Sequence, residues 1–428
     1  MEVHYNLKMH YHLIGIKGIS MRAIAQILKS QGHKVTGSDL KLSGHSAKNI
    51  NNDIDAVIYT SAITPNSAGW VEIKEAKKLK IPLIKRGKML AEIVKGKKII
   101  AISGTHGKTT TTAMIGLILE KSGFDPLVIV GEEVPDLGGT VRLGTGEWAV
   151  IEACEYDRNF LFIKPNIAVI TNIEEEHLDH YPGGLLDLKA AFAKFASQTA
   201  ASGTVIICGD DRNTVEAMRS IKNRKIIKYG LGKNNDVTNL PFKLSLPGDH
   251  NRRNALAAIA VAGVLGIKIE MVKRAIKNFR GAHRRFEIKG EKNGIIVVDD
   301  YGHHPTEIAA LLTGVKEKYP KKKITAIFWP HQYKRTEVFL KKFAPAFDLA
   351  DRIIIKEIFF VPGRDKKSDV SGRDIVDLIN QKRSGAARFI DDDDKIIEFL
   401  KKNLTARDIL VTIGIPPVYQ IGERFLAR

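Results

Sequence analysis

Apolar runs of strand length alternate with amphipathic stretches of helix length along the whole chain, and this alternation limits the fold more than any other feature. YHLIGI (11–16) is followed by the helical pattern KGISMRAIAQILKSQG and then by a second strand, HKVTGSD. DAVIYTSA and IPLIKR repeat the near-continuous apolar pattern of strands buried on both faces of a parallel sheet. A new strand begins near KGKKIIAISG, and WAVIEACEYD and IAVITNIEEEHLDHY supply two more. EIKGEKNGIIVVDDY reads as a hairpin into a central strand, and KITAIFWP, ADRIIIKEIF, AARFI and DILVTIG extend the series. The pattern predicts an α/β architecture with mainly parallel sheets. A chain of 428 residues exceeds one ordinary core, and the expected division is 1–95, 96–285 and 286–428. The run DDDD at 391–394 is expected to mark a loop or a helix N-terminus.

Within that pattern, AISGTHGKTTTTAMIGLILEKSG (101–123) is a strand, a tight glycine loop and a helix. The common phosphate-binding loop places a glycine five residues before its Gly-Lys-Thr, but that position here is Ile102, and the nearest glycine upstream is Gly104. Gly104 and Gly107 allow a tight turn whose N–H groups, including those of Thr105 and His106, meet an anion at the helix N-terminus. Lys108 is expected to reach the β- and γ-phosphates with its side chain facing the anion rather than a core. The Thr109 hydroxyl is placed to ligate Mg²⁺, and Thr110 lies in the first turn. Together these residues indicate ATP or another nucleoside triphosphate. Two further strand ends carry candidate metal ligands: Glu152 after WAVI, and Asn172, Glu174, Glu176 and His177 after IAVIT. In open α/β sheets ligands gather at the carboxyl ends of strands, the edge that also carries the glycine loop.

The formal net charge is +19 and the sequence pI about 9.6. The lysines are spread along helical stretches rather than interleaved with aromatics, and no nucleic-acid-binding motif is present, so no nucleic-acid partner is expected. A substrate carrying several phosphates suits the same charge. Cys154 and Cys208 cannot form a disulfide framework, which points to a reducing cytoplasm. The N-terminal stretch MEVHYNLKMHYHLIG lacks a signal-peptide core, and no membrane insertion is expected.

Taken in order, G-T-H-G-K-T-T-T-T, E-A-C-E-Y-D, T-N-I-E-E-E-H-L-D-H-Y, D-H-N-R-R-N-A-L-A-A, R-R-F-E and D-D-Y-G-H-H-P-T-E closely resemble the Mur ligases. The likeness covers essentially the whole chain and is strongest to the branch that joins L-alanine to UDP-N-acetylmuramate in peptidoglycan precursor synthesis. It implies a Rossmann-like N-terminal domain for the UDP-sugar, a central ATPase domain and a Rossmann-like C-terminal domain for the amino acid. By resemblance, Lys108 stabilises the transferring phosphate, Thr109 and Glu152 hold one Mg²⁺, and His177 holds a second. His250, Asn251 and Asn254 meet the nucleotide, and Arg285 and Asp300 contact phosphate and ribose. Tyr301, His303 and Arg335 receive the amino acid. Gly15, Gly18, Ser20, Asp39 and Ser61 face the UDP-sugar. The expected oligomeric state is a monomer or weak homodimer.

The chain departs from the family pattern in places. Phe192 stands where many relatives carry a carbamylated lysine, Tyr156 is shared with a recycling ligase that attaches a tripeptide, and Gln332 and T-I-G-I-P-P replace commoner residues. The recycling ligase is therefore the alternative activity, and a nucleotide-binding protein with lapsed ligase chemistry is the alternative class. An NAD-dependent oxidoreductase ranks lower, because G-I-K-G-I-S-M (15–21) completes only part of the dinucleotide fingerprint.

Overall fold

The computed structural model describes residues 8–360 and 365–427, and its strands form three sheets. Residues 1–7, part of the stretch read against a signal peptide, lie outside the described residues. The first sheet contains β1 (His10–Ile14), β2 (Lys34–Ser38), β3 (Ala56–Tyr59) and β4 (Leu83–Lys85), all parallel, in the order β2-β1-β3-β4. The second contains β5 (Lys98–Ser103), β6 (Leu127–Val134), β7 (Gly139–Arg142), β8 (Trp148–Glu152), β9 (Ile167–Ile170), β10 (Thr204–Cys208) and β11 (Lys225–Tyr229). Its order is β11-β10-β9-β5-β8-β6-β7, with only β7 antiparallel to its neighbour. The third contains β12 (Glu287–Lys292), β13 (Ile295–Asp300), β14 (Lys323–Phe328), β15 (Arg352–Ile355), β16 (Ala387–Phe389) and β17 (Asp408–Ile413). Its order is β12-β13-β17-β14-β15-β16, and β12–β13 is the expected antiparallel hairpin.

The first two sheets belong to one compact unit, which runs to Lys243 and resumes over Arg253–Phe279. The third sheet belongs to a second unit, made of Leu244–Arg252 and the chain from Arg280 onward. Every β5 residue except Lys98 is buried, as a central strand covered on both faces requires. The helix Ile19–Ser30 buries Met21, Ile24, Ile27 and Leu28, the spacing of a single helical stripe. Phe192 is fully buried and packs edge-on against Phe160 at 5.1 Å, so the position that carries a modified lysine in many relatives is core here. Asp392 caps the helix Asp393–Asn403, accepting from the Lys395 N–H at 2.9 Å, so the acidic run does open a helix. Strands β6, β7, β10 and β11 are not among the runs picked out from the sequence.

Below the first sheet's carboxyl edge lies a fully buried carboxylate, Glu72. It accepts hydrogen bonds from Ser38 Oγ at 2.7 Å, Asn49 Nδ2 at 2.8 Å and the Ser46 N–H at 3.1 Å, and pairs with His12 Nε2 at 3.2 Å. Burial pushes this carboxyl up, but the hydrogen bonds from His12, Ser38, Asn49 and Ser46 outweigh it and hold the group down to about 2. Glu72 thereby ties the middle of β1 and the end of β2 to the helix Trp70–Lys78.

Candidate active site

Strand β5 delivers the glycine loop to the edge of the second sheet, and its neighbours β8 and β9 deliver the two candidate metal clusters beside it. Gly104 has φ 133°, and a Cβ there would lie 2.0 Å from Thr171 Oγ1, so both backbone conformation and space demand glycine. A Cβ on Gly107 would lie 2.5 Å from Asn254 Oδ1, which places Asn254 directly against the loop. The loop is tied to the residues after β9. The His106 N–H donates to Asn172 Oδ1 at 2.9 Å, and Asn172 Nδ2 and Thr171 Oγ1 donate back to the His106 carbonyl at 3.1 and 2.6 Å. The Thr105 N–H donates to the Asn172 carbonyl and the Glu174 N–H donates to Thr105 Oγ1. The helix Lys108–Lys121 begins immediately after the turn, with its first-turn N–H groups at the loop.

Lys108 has a partner that the sequence did not reveal. Its ammonium lies across its own loop, donating to the Gly104 carbonyl, to the Thr105 carbonyl at 3.0 Å and to both Glu155 carboxylate oxygens at 3.2 and 3.0 Å. The Glu155 side chain is only 2% exposed and that of Lys108 16%, so this is a largely buried ion pair rather than a solvent-facing lysine. Burial acts to lower the Lys108 pKa, but the Glu155 carboxylate outweighs it and holds the group above the ordinary lysine range. Glu155 was not among the sequence candidates, although it stands three residues after Glu152 in the same motif. The Tyr181 hydroxyl donates to the Glu155 carbonyl at 2.5 Å and fixes that segment from a third direction.

Glu152, half-buried at the end of β8, accepts from the Gly131 N–H of β6 at 2.5 Å. Thr109 is half-buried in the first helical turn, and Thr110 is buried. His177 adopts a left-handed conformation at φ 57°, 3.8 Å from Glu176, with its ring edge-on to Tyr156 at 4.9 Å. Partly exposed hydroxyl and carboxylate oxygens from adjacent strand ends suit a hard divalent ion that keeps some of its water, so the donors fit Mg²⁺. The second sheet thus brings Gly104 to Thr110, Glu152 and His177 to one edge, and the helix Asp249–Val264 sets Asn254 against Gly107.

The sugar-side candidates occupy the corresponding edge of the first sheet. Gly15 and Gly18 turn the chain from β1 into its helix, with half-buried Ser20 in the first turn. Asp39, after β2, accepts the Lys17 and Lys41 N–H groups, each at 3.0 Å. Ser61, after β3, donates its hydroxyl to Asp157 Oδ2 at 2.5 Å, a partner from the second sheet's segment.

In the second unit, Asn251 donates to the Pro247 carbonyl at 2.8 Å and lies next to His250 at the start of the helix Asp249–Val264. Arg285 reaches Glu307 at 3.4 Å and lies over the Tyr301 ring at 5.3 Å, and His303 lies 3.4 Å from Glu307. Asp300, expected at the ribose, is buried and accepts the N–H groups of Phe286 and Gly302 at 2.8 and 2.7 Å. Burial pushes its carboxyl up to about 6, against the pull of Arg285 and those two N–H groups. Arg284, not Arg285, is the buried arginine: it pairs with Asp299 at 2.9 Å and donates to the carbonyls of Gly414 and Ile415. The altered C-terminal loop is therefore fastened to the end of β13. Arg335 lies 3.2 Å from His331 in the first turn after β14. Tyr301, His303 and Arg335 thus all follow carboxyl ends of third-sheet strands.

A glycine loop opening a helix, a lysine held over it, and carboxylate and histidine from the flanking strand ends define a nucleotide-dependent enzyme of phosphoryl chemistry. This chain belongs to the Mur ligase family, a family of ATP-dependent ligases. Its residues 10–98 match the family model described as Mur ligase family, catalytic domain, residues 102–262 the Mur ligase middle domain, and residues 284–415 the Mur ligase, glutamate ligase domain. It is 42% identical to a UDP-N-acetylmuramate–L-alanine ligase of Caldanaerobacter subterraneus, over 100% of this chain and 99% of that one. It is 41% identical to the protein of the same name from Clostridium kluyveri, over 97% of each. Its fold is similar to that of the UDP-N-acetylmuramate-alanine ligase of Thermotoga maritima, with a TM-score of 0.83, 29% identity, and 98% and 99% of the two chains covered. Among the described residues no helix is long and apolar enough to cross a membrane.

Proposed function

We propose that this chain is an ATP-dependent ligase that joins L-alanine to UDP-N-acetylmuramate in the cytoplasm, in the synthesis of peptidoglycan precursors. The observation that carries the reading is the buried Lys108 ammonium held across a glycine loop that the flanking strand ends lock in place. Such a cation is positioned before the reaction, where it stabilises charge on a transferring phosphoryl group most effectively. ATP would phosphorylate the lactyl carboxylate to an acyl phosphate and release ADP, and the amine of L-alanine would then attack the acyl carbon, lose a proton and displace inorganic phosphate to give the amide. The loop N–H groups and Lys108 bind and orient the triphosphate, with Asn254 buttressing the turn at Gly107. Thr109, Glu152 and His177 would hold Mg²⁺, which when bound neutralises phosphate charge. Arg285, Tyr301, His303 and Arg335 form the amino-acid side of the reading. Arg335 is suited to pair with the substrate carboxylate, and Asn251 and Asp300 support the nucleotide side.

Phosphate release with ATP, Mg²⁺ and UDP-N-acetylmuramate tests this directly, comparing L-alanine, glycine, L-serine and a tripeptide. L-alanine is expected to give the highest kcat/KM. Product with the tripeptide and none with L-alanine would replace this reading by the recycling ligase, and no phosphate release with any acceptor would remove the ligase activity altogether.

A further inference from the structure

Asp157 and Arg158 are consecutive non-glycine residues in the left-handed region, at φ 51° and 55°. Side chains with a Cβ rarely adopt this conformation, and it persists where the surroundings hold it in place. Here they do so from both sheets of the first unit. Asp157 Oδ2 accepts from Ser61 Oγ at 2.5 Å and from Lys85 Nζ at 3.0 Å, residues that follow β3 and end β4 of the first sheet. Its other oxygen lies 3.7 Å from His180 Nδ1, three residues after His177. Arg158 donates to Asp187 at 2.6 Å and lies over the ring of Tyr181, whose hydroxyl holds the Glu155 carbonyl. One six-residue segment therefore carries Glu152 to Gly131 of β6, Glu155 to Lys108 and Asp157 to the first sheet. Another ion pair linking the two sheets, Arg22–Glu133 at 3.2 Å, is about half exposed and screened by solvent.

We propose that Asp157 is a positioning residue that registers the sugar-nucleotide seat of the first sheet against the phosphate cradle and metal loop of the second. The inference rests on the ligase reading. There, a carboxylate held by the first sheet must meet a phosphoryl donor held by the second, and misplacement by about 1 Å can cost a hundredfold in rate. Asp157 links the β3 and β4 ends to the segment beside Lys108, so loss of its carboxylate loosens the seat without touching the cradle.

Steady-state kinetics of Asp157→Asn, Asp157→Gly and Lys85→Met test this. Asn tolerates the left-handed conformation but loses the charge that pairs with Lys85, whereas Gly relaxes the backbone and removes the side chain. The KM for UDP-N-acetylmuramate should rise about tenfold in Asp157→Gly, the scale of a charge-assisted hydrogen bond, and less in Asp157→Asn. The KM for ATP should stay within about twofold, and Lys85→Met should be non-additive with Asp157→Asn. An unchanged UDP-N-acetylmuramate KM in Asp157→Gly, or equal rises in both KM values, overturns the proposal. Should the Gly variant fail to fold, the Asn variant and its pairing with Lys85→Met decide by the same KM split. A wild-type chain inactive with UDP-N-acetylmuramate and every acceptor sinks the ligase reading and this inference with it. Wild-type turnover with no KM split sinks the inference alone.

Discussion

Two loops of this protein have the same local construction, a parallel strand followed by a glycine turn and a helix, yet they are built to different tolerances. After β1, Gly15 has φ 82° and a Cβ there would meet nothing within 4 Å. After β5, a Cβ on Gly104 would collide with Thr171, and one on Gly107 with Asn254. Gly15 requires only a backbone conformation, whereas Gly104 and Gly107 also require space, because neighbouring segments close on them. The first turn is tied to the end of β2, with the Gly15 and Ile16 N–H groups on the Ser38 carbonyl and the Lys17 N–H on Asp39, and the second is held by hydrogen bonds to the residues after β9 plus a largely buried ion pair to the segment after β8. Under the ligase reading, the loop that must hold phosphate charge in a fixed place is the one tied down from both flanking strands.

Breaking the tighter loop should have the largest effect. Lys108→Ala is expected to lower turnover by ~10²–10³, the loss typical of one transition-state donor. It also leaves buried Glu155 without its partner, which destabilises the fold, so Lys108→Ala combined with Glu155→Gln is the control. The double variant should regain melting temperature but not turnover. A ligation rate above half of wild type in either variant would remove Lys108 from the reaction.

The difference between the loops is tested by Gly104→Ala against Gly15→Ala. The first should abolish measurable ATP binding or prevent soluble expression. The second should cost about 1–2 kcal/mol, the penalty of a left-handed residue bearing a Cβ, and keep ATP binding. Equal behaviour of the two variants in denaturant titrations and nucleotide binding would mean that the two loops are equally tolerant.

Glu152→Gln keeps size and packing but removes a charged oxygen. Activity should fall and be partly restored by raised Mg²⁺, and an activity profile against Mg²⁺ identical to wild type would leave Glu152 as a strand-end brace for Gly131.

The smallest effect belongs to the first sheet. Glu72 titrates at about 2 in the folded chain against an ordinary 4.5. Its contribution to stability is therefore complete above about pH 4.5 and is lost as pH falls towards 2. Melting temperature should decline less steeply over that window in Glu72→Gln than in wild type, and parallel declines would show that the buried carboxylate does not set the acid response.

Much of the site is legible in the amino-acid sequence. The glycine loop, Lys108, Glu152 and His177 are separated by up to 73 positions from Gly104 to His177, yet each stands just past an apolar strand, and that placement alone puts them on one sheet edge. Glu155 is not legible as the partner of Lys108. The two are 47 residues apart and meet because β8 lies next to β5, an order that periodicity does not encode. Asn172 is visible as a strand-end residue, but its bonds to both sides of the His106 peptide depend on β9 lying on the other flank of β5.

Read alone, the amino-acid sequence sets the alternation of strands and helices, the glycine turns and the residue types available at each strand end. All of these follow from interactions between residues close in the chain. Only the packing of the sheets decided that Lys108 pairs with Glu155, that Ser61 turns to Asp157, and that Arg284 is buried against Asp299 while Arg285 is not. Each depends on which strands become neighbours, which is settled by the burial of whole sheet faces and not by the local pattern of any one segment.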